Sequence, residues 1–506
     1  MMRGLDTTVR RLRRKVFEEV ARLGFKSNPE TLNDDMEAIP YKMVNEDTKI
    51  KYRESVYRAR AIVRERLRLA MGLSLRPENK PVHLTAGVEA SNISEKYYEP
   101  PLMQVIPSAC EACEEKGYEV SNMCKGCLAH PCMEVCPKDA ISLVQGKSVI
   151  DQNKCIKCGK CADECPYGAI LRIERPCAEA CGMDAIGSDE LGRAKIDYDK
   201  CVSCGMCLVN CPFGAISDKS QIFQLIQAIK RGDKAVAAVA PAFVSQFGEN
   251  VTSSQMREAM RQVGFHKVIE VAVGADMCTA EEAEDFLKKV PAEQPFMATS
   301  CCPSWSVMAK KLFPQFKDYI SMAMTPMVLT ARLYKKDHPD VRIVFIGPCT
   351  AKKLEASRRT IRSDVDFVLT FEEMQGIFDA KGIVPSEMPV DPEEEFSTGT
   401  SLGRGFAVTG GVANAVKEAI KEIDPDREVK IEHADGLREC RKMLMMAKAG
   451  KRLLEGMGCP GGCVAGAGTI TPVKKSTAAV GKYVADAKVR TIQDSAAVKR
   501  LREVQD

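Results

Sequence analysis

Between Glu54 and Met71, apolar residues recur at Val56, Ala59, Ile62, Val63, Leu67 and Ala70, the three-and-four spacing of one helical face. Arginines from Arg53 to Arg68 surround them, so residues 1–85 read as a helical region with a solvated basic face. Pro77, Pro81, Pro100, Pro101 and Pro107 then mark a connector. Further along, Val236–Ala240, Val268–Val273 and Arg342–Ile346 are short apolar runs suited to buried strands. Amphipathic stretches such as Ser253–Gly264 and Thr279–Val290 lie between them. That alternation predicts an α/β domain over residues 221–475. Residues 86–220 form a separate block, and residues 476–506 read as a polar tail.

The chain has 506 residues, enough for about three domains. Hydrophobic residues make up 45% and charged residues 28%, an ordinary globular balance. A net charge of +4 is too weak a bias to argue for nucleic acid. No apolar run reaches the roughly 18 residues of a membrane span. The basic run Arg10–Lys15 precedes no apolar segment of a secretory signal, so a cytoplasmic location is expected. Cysteine is the outlier, with 23 residues against five histidines. Tight C-x2-C groups without an export signal suit metal better than disulfides. Thiolate-only ligation points to iron–sulfur clusters or all-cysteine zinc.

Sixteen of the cysteines lie within residues 110–216. A bacterial ferredoxin repeat supplies three ligands of one 4Fe–4S cube from C-x2-C-x2-C, and its fourth cysteine, followed by Pro, completes the other cube of the pair. Cys155, Cys158, Cys161 and Cys165 fit this spacing, as do Cys201, Cys204, Cys207 and Cys211. Cys124, Cys127, Cys132 and Cys136 fit with a longer second gap. A four-cysteine zinc site is the competing reading, and it seldom repeats this run twice. Cys110, Cys113, Cys177 and Cys181 remain. The linkers after Cys136 and Cys181 are alike in style, so Cys177 and Cys181 read as the back half of a repeat opened by Cys110 and Cys113.

One two-cluster ferredoxin is then expected inside another. The inner sets are Cys124, Cys127, Cys132 with Cys165, and Cys155, Cys158, Cys161 with Cys136. The outer sets are Cys110, Cys113, Cys177 with Cys211, and Cys201, Cys204, Cys207 with Cys181. A rival pairing joins the two perfect repeats, so that Cys165 completes the Cys201 cube and Cys211 the Cys155 cube.

Five more cysteines sit in three Gly/Pro-rich segments: TSCCPSW (Cys301, Cys302), GPCTAKKLE (Cys349) and EGMGCPGGCVAGAG (Cys459, Cys463). Gly461, Gly462, Gly466 and Gly468 let backbone approach something bulky. These segments are similar to the three signature segments of iron-only (FeFe) hydrogenases, and with the cysteine block the resemblance covers residues 110–475. It implies an H-cluster, a 4Fe–4S cube bridged by one cysteine to a di-iron unit with CO, cyanide and dithiolate ligands. On matching positions Cys302, Cys349, Cys459 and Cys463 would hold the cube, with Cys463 as the bridge. Cys301 would exchange protons with the dithiolate amine, Lys352 would hydrogen-bond a cyanide, Met457 would pack near the di-iron site, and Pro241 would line the pocket. Cys301, Glu282, Ser321 and Asp285 resemble the family's proton relay. Glu282 and Asp285 share a helical face at i and i+3, and a solvated acidic helix accounts for them equally well.

The expected architecture is an α+β ferredoxin-like module with up to four accessory 4Fe–4S clusters, followed by an α/β iron-only hydrogenase catalytic domain and preceded by the helical N-terminal region. The resemblance implies reversible reduction of protons to H2. It also implies a low-potential ferredoxin or similar carrier as electron partner and maturation proteins for the di-iron unit. Neither nucleic acid nor membrane is expected. A non-catalytic H2 sensor and a hydrogenase-like iron–sulfur assembly scaffold are the alternatives; such scaffolds lack the proton-shuttle cysteine, and this chain keeps Cys301. The usual family pattern has Gly at Ser304, Met at Gly347 and a GGGQ-like run where Gly466 begins GAGT, and these departures resemble the divergent group B branch. Cys278 and Cys440 match no motif and read as buried thiols. The run Thr409–Ala415 could suggest phosphate binding, but resembles a structural segment of the same family.

Overall fold

The computed structural model describes residues 5–26, 28–45, 52–91, 100–361, 364–391, 398–447 and 452–505, so connector residues 92–99 lie outside the described residues. Thr8–Lys26, Leu32–Met43 and Val56–Ala70 are helices, as the periodicity predicts. Their basic face is not simply solvated. Thr8–Lys26 lies along helices Phe371–Lys381 and Ile222–Lys230 and buries Val16, Phe17, Val20 and Ala21. Arg66 and Arg68 of the third helix are buried because their N–H groups find backbone carbonyls. Arg68 donates to Ser74, Leu84 and Ala86, and Arg66 to Gly214. Periodicity marked the apolar face correctly, but it cannot foresee carbonyls arriving from far along the chain.

The cysteine-rich block folds on four short antiparallel pairs. Met103–Val105 pairs with Ile216–Asp218, and Ile186–Ser188 with Ala194–Ile196. Between the first two strands and that hairpin sits a second set: Gly117–Val120 with Ile170–Ile173, and Ile141–Val144 with Lys147–Ile150. Each set has one pair of terminal strands and one hairpin. A two-pair unit is therefore inserted within another, the nesting expected from the linkers.

Beyond it lie two parallel sheets. One has the order Lys267–Glu270, Lys234–Val239, Val341–Gly347, Phe367–Thr370. The other has Phe296–Ala298, Arg452–Met457, Lys430–Asp435. Helices cover them, which is α/β architecture. Two boundaries differ from expectation. The run Val268–Val273 stops being strand at Glu270, and the following helix starts at Ala272, seven residues before the expected Thr279. Glu270 is buried and accepts from the Thr398 and Gly399 amides and the Arg404 guanidinium, so the chain turns there to serve the carboxylate. The expected tail also folds. Helices Val473–Ala485 and Ala496–Gln505 contribute buried Val480 and Val498, and Ser495 donates to the buried Asp276.

Candidate active site

The three cysteine segments follow the carboxyl ends of parallel strands. Cys301 and Cys302 come after Phe296–Ala298, Cys349 after Val341–Gly347, and Cys459 and Cys463 after Arg452–Met457. Strand Lys234–Val239 delivers Pro241 to the carboxyl end of the four-stranded sheet. Side chains far apart in sequence converge because the carboxyl ends of both sheets open on one shared edge, where α/β sheets bind ligands. The turn between Cys459 and Cys463 needs glycine: Gly462 has φ +87°, and a Cβ there would stand 2.6 Å from the Thr409 nitrogen. The Thr409–Ala415 run is structural, for the Gly410 and Ala413 amides donate to the buried Glu455 carboxylate at 2.8 and 2.7 Å. That carboxylate fills the helix start where a phosphate would sit.

A cavity of about 80 Å³ occupies this edge, with Cys301, Cys302, Cys349, Cys463, Lys352 and Met457 among its lining, together with Pro241. Cys459 adjoins it, its charge raising both the Cys349 and Cys463 thiols. Burial pushes Cys349 up to about 12 and Cys463 well above the ordinary thiol range. Four half-buried thiols gathered at one apolar cavity, two of them disfavoured as thiolates by their surroundings, call for a strong cationic centre, so the donor set fits an iron–sulfur cube bridged to further metal. Among the described residues no three Cys, His, Asp or Glu side chains stand at single-ion spacing. A cube spreads its four thiolates farther apart than one ion does. Lys352 points its Nζ at the Glu355 carboxylate, 2.7 Å away, and at the Cys301 carbonyl, 3.3 Å away. Gly347 is explained by its neighbour: a Cβ there would stand 2.5 Å from the Phe345 ring, which itself lines the cavity.

The expected relay is assembled in part. Glu282 is fully buried; its Oε1 accepts from the Ser300 amide at 3.1 Å, Ser321 hydrogen-bonds it, and its Oε2 has no partner. Burial raises its pKa to about 7. Ser321 is fixed by donation of its amide to the Ala298 carbonyl at 2.7 Å. Asp285 is half-buried outside the cavity lining, paired with Lys289 at 2.7 Å. Of the two readings open in the sequence, the solvated acidic helix holds for Glu284 but not for Glu282.

Cys278 is a buried thiol, as expected, and Lys353 escaped the sequence reading. Cys278 lies one turn before Glu282, fully buried, and its charge acts on Cys301. Lys353 is buried with its Nζ 2.7 Å from Asp218, 2.8 Å from Glu373 and 2.8 Å from the Lys219 carbonyl. Its place beside Lys352 in the first turn of helix Ala351–Ala356 was the one available signal. Cys440 is the buried thiol expected, donating to the Ala434 carbonyl at 3.4 Å.

In the cysteine-rich block, Cys110, Cys113, Cys177 and Cys211 line one cavity of about 20 Å³. Cys155, Cys158, Cys161 and Cys136 line another of about 20 Å³. The rival pairing places Cys211 at the second of these, and the structure does not. Cys132 and Cys165 join the inner core, while Cys124 and Cys127 are half-buried. Cys181, Cys201, Cys204 and Cys302 pack against one apolar core, and Cys207 lies with Cys201 in the adjoining outer core. Cys136, Cys165, Cys181 and Cys211 share one detail: each sulfur accepts from an alanine amide four residues on, at 3.3–3.4 Å. Cys181 thus shares the local geometry of the other three.

The family profile described as the iron only hydrogenase large subunit, C-terminal domain, matches residues 233–467, and that of the 4Fe-4S binding domain matches residues 148–171 and 194–217. Iron hydrogenase 1 of Clostridium pasteurianum is 31% identical over 389 residues, 66% of this chain and 67% of that protein. The periplasmic Fe hydrogenase large subunit of Nitratidesulfovibrio vulgaris is 30% identical over 376 residues, 63% of this chain and 85% of that one. Cytosolic iron-sulfur assembly component 3 of Rattus norvegicus is 24% identical over 300 residues, 49% of this chain and 63% of that protein.

Proposed function

The chain belongs to the iron-only hydrogenase family, and we propose that it catalyses the reversible reduction of protons to H2 at the cavity on the shared sheet edge. Cys302, Cys349, Cys459 and Cys463 would hold the cube of an H-cluster, with Cys463 bridging to its di-iron unit. When bound, that unit supplies a metal able to polarise H2 and a basic amine beside it. The chain's own residues do the rest. Lys352, kept charged by Glu355, offers a donor to an anionic cyanide. Pro241, Met457 and Phe345 keep the cavity apolar and exclude water. The Cys301 thiol carries protons between the cavity and Glu282. Glu282, poised near neutrality, takes or gives a proton through Ser321 toward the half-buried Asp285.

Electrons would leave through four accessory 4Fe–4S clusters held by the two inner and two outer ligand sets, with the Cys201 set next to Cys302. A low-potential ferredoxin is the proposed exchange partner, and maturation proteins would install the di-iron unit. Among the described residues no helix is long and apolar enough to cross a membrane.

The observation that carries the catalytic reading is Cys301 at the cavity wall, next to Ser300, whose amide holds the buried Glu282. The similarity to iron–sulfur assembly proteins favours a second reading, a scaffold without turnover. Cys301→Ser in matured protein separates them, because a hydroxyl is a far weaker acid than a thiol of pKa about 8.5. The parent should evolve H2 from reduced methyl viologen, and the variant should keep its iron and its CO and cyanide infrared bands while losing nearly all turnover. A fully matured parent without turnover would favour the scaffold. Loss of the bands in the variant would make Cys301 a ligand.

A further inference from the structure

Buried cations stand beside the four-cysteine cavity of the outer ferredoxin unit, whose one lining carboxylate, Glu111, is paired with Arg58. Arg175, 4% exposed, lines it beside Cys110, Cys113, Cys177 and Cys211. Its guanidinium donates to the Gly187 and Gly192 carbonyls at 3.0 and 3.2 Å and to the Ser188 hydroxyl at 2.8 Å, and its Nε has no partner. Arg66, 3% exposed, arrives from the N-terminal helix Val56–Ala70 and donates to the Gly214 carbonyl, three residues beyond Cys211. Its Nε too has no partner. The carboxylate that acts on Arg66, Asp218, is already engaged by Lys353 at 2.7 Å. Among the described residues, Arg175 meets hydroxyl and carbonyl oxygens but no carboxylate at ion-pair distance. Arg53 holds the carbonyls on both sides of the same loop, Ala109 and Phe213, at 3.1 and 2.7 Å.

A guanidinium taken out of water without an anion is costly, so this site calls for negative charge. A 4Fe–4S cube on four thiolates supplies it, and carries one negative charge more when reduced. Fixed cations in a poorly polarisable surrounding favour the more negative state, so they raise the reduction potential. Among the described residues the other accessory sites lack this arrangement, and the cation acting on Cys124 is the exposed Lys147. Around the Cys155 set the cavity-lining lysines, Lys138 and Lys160, are exposed and screened by water. Cys204 is half-buried against apolar neighbours such as Met183 and Leu437. The arginine nearest Cys181 by backbone contact, Arg441, is paired with Asp184 at 2.8 Å.

We propose that Arg66 and Arg175 set the potential of the cluster held by Cys110, Cys113, Cys177 and Cys211, making it the highest of the four accessory clusters and the place where an electron rests between the inner ferredoxin unit and the catalytic domain. The step is a one-electron gain from a neighbouring cluster with no proton moved. The helical N-terminal region then has a redox task, since it brings Arg66 to the site. The proposal rests on the cluster ligation argued above but not on H2 turnover.

The test is an EPR-monitored redox titration of the full chain carrying its accessory clusters, without the di-iron unit, so that failure of the hydrogenase reading leaves it standing. Cys113→Ser marks which signal belongs to the site. Arg66→Met and Arg175→Met should each move that signal, the highest in the parent, to lower potential. The expected change is about tenfold in the ratio of reduced to oxidised cluster at fixed potential, or 59 mV for one electron. Arg66→Lys and Arg175→Lys should restore most of it. The two arginines sit on different elements, so if one methionine variant fails to fold the other still decides. The proposal is overturned if the signal marked by Cys113→Ser is absent or is not the highest. It is equally overturned if the methionine variants leave that signal in place, or if lysine and methionine variants shift it alike.

Discussion

Replacing Lys353 by methionine removes a charge while nearly keeping the volume. Its ammonium is wholly buried between Asp218, at the end of strand Ile216–Asp218 in the ferredoxin module, and Glu373, in the first turn of helix Phe371–Lys381. Neither carboxylate can turn to water. Asp218 is 3% exposed and its Oδ1 has no partner, while Glu373 is fully buried and also accepts from the Thr370 amide in a capping box. Breaking a buried ion pair from one side costs about 3–5 kcal/mol, because the orphaned charge stays in place. Two carboxylates share one lysine here, and Asp218 keeps the field of Arg13, so the estimate is about 4 kcal/mol.

The sign of the pH dependence follows. The Asp218 pKa is lowered in the parent, so its stabilisation is present above the unfolded value and lost as pH falls through the folded one. Without the lysine, burial of Asp218 favours its protonated form, so the loss of stability should grow as pH rises from about 5 to about 8. Urea unfolding of anaerobic Lys353→Met and parent protein, followed by far-UV circular dichroism, measures it. Pairing the variant with Glu373→Gln should recover part of the loss. A loss below about 1 kcal/mol, or one equal at both pH values, would refute the argument that the triad is desolvated and uncompensated.

Three further outcomes are expected. Glu282→Gln should keep iron and infrared bands and slow turnover by about 100-fold or more, as removal of a proton-transfer group does. Because the folded pKa of Glu282 is raised to about 7, its contribution to stability is present below its unfolded pKa and lost as pH rises through 7, so the glutamine variant should lose less stability than the parent between about pH 5 and 8. Gly347→Met must displace the Phe345 ring, so it should shift the CO bands and lower stability, and adding Phe345→Ala should restore the stability; unchanged spectra would place the residue away from the cluster. Fully loaded protein should contain about 22 iron atoms per chain by metal analysis, from four accessory cubes and the H-cluster, and saturation near 14 would leave two cysteine sets idle.

What could be read in the sequence, and what could not, divides by the range of the interaction. The ligand loops are local. A repeat such as Cys155, Cys158, Cys161 encloses its own cube, and the glycines flanking Cys463 mark a close backbone approach within a few residues. The nesting of the two ferredoxin units was visible for the same reason, since each hairpin linker is a short piece of chain. Buried charge is different. Lys353 meets a carboxylate 135 residues away, and Arg66 meets a carbonyl 148 residues away. In sequence, each is one more cation on a charged helix, and the solvated reading is the reasonable expectation. Phe345 filling the space above Gly347 is also a matter of packing, although the two residues are neighbours on one strand.

These unreadable contacts share a location. Lys353 ties the last outer strand of the ferredoxin module to the catalytic domain, and Arg10 and Arg13 of the first helix both pair with Glu372, next to Glu373. Arg66 continues the same band of buried charge to the loop after Cys211. The seam between cluster module and catalytic domain is therefore ionic and hydrogen-bonded as well as apolar. Apolar packing alone tolerates sliding, because burial is non-directional, whereas carboxylate and guanidinium partners fix direction as well as distance. Under the proposed ligation, electron transfer between the Cys201 set and the cube near Cys302 would require a fixed separation, which a charged seam would provide. On this reasoning the N-terminal helices and Lys353 would serve the electron path even though no cluster is expected on them.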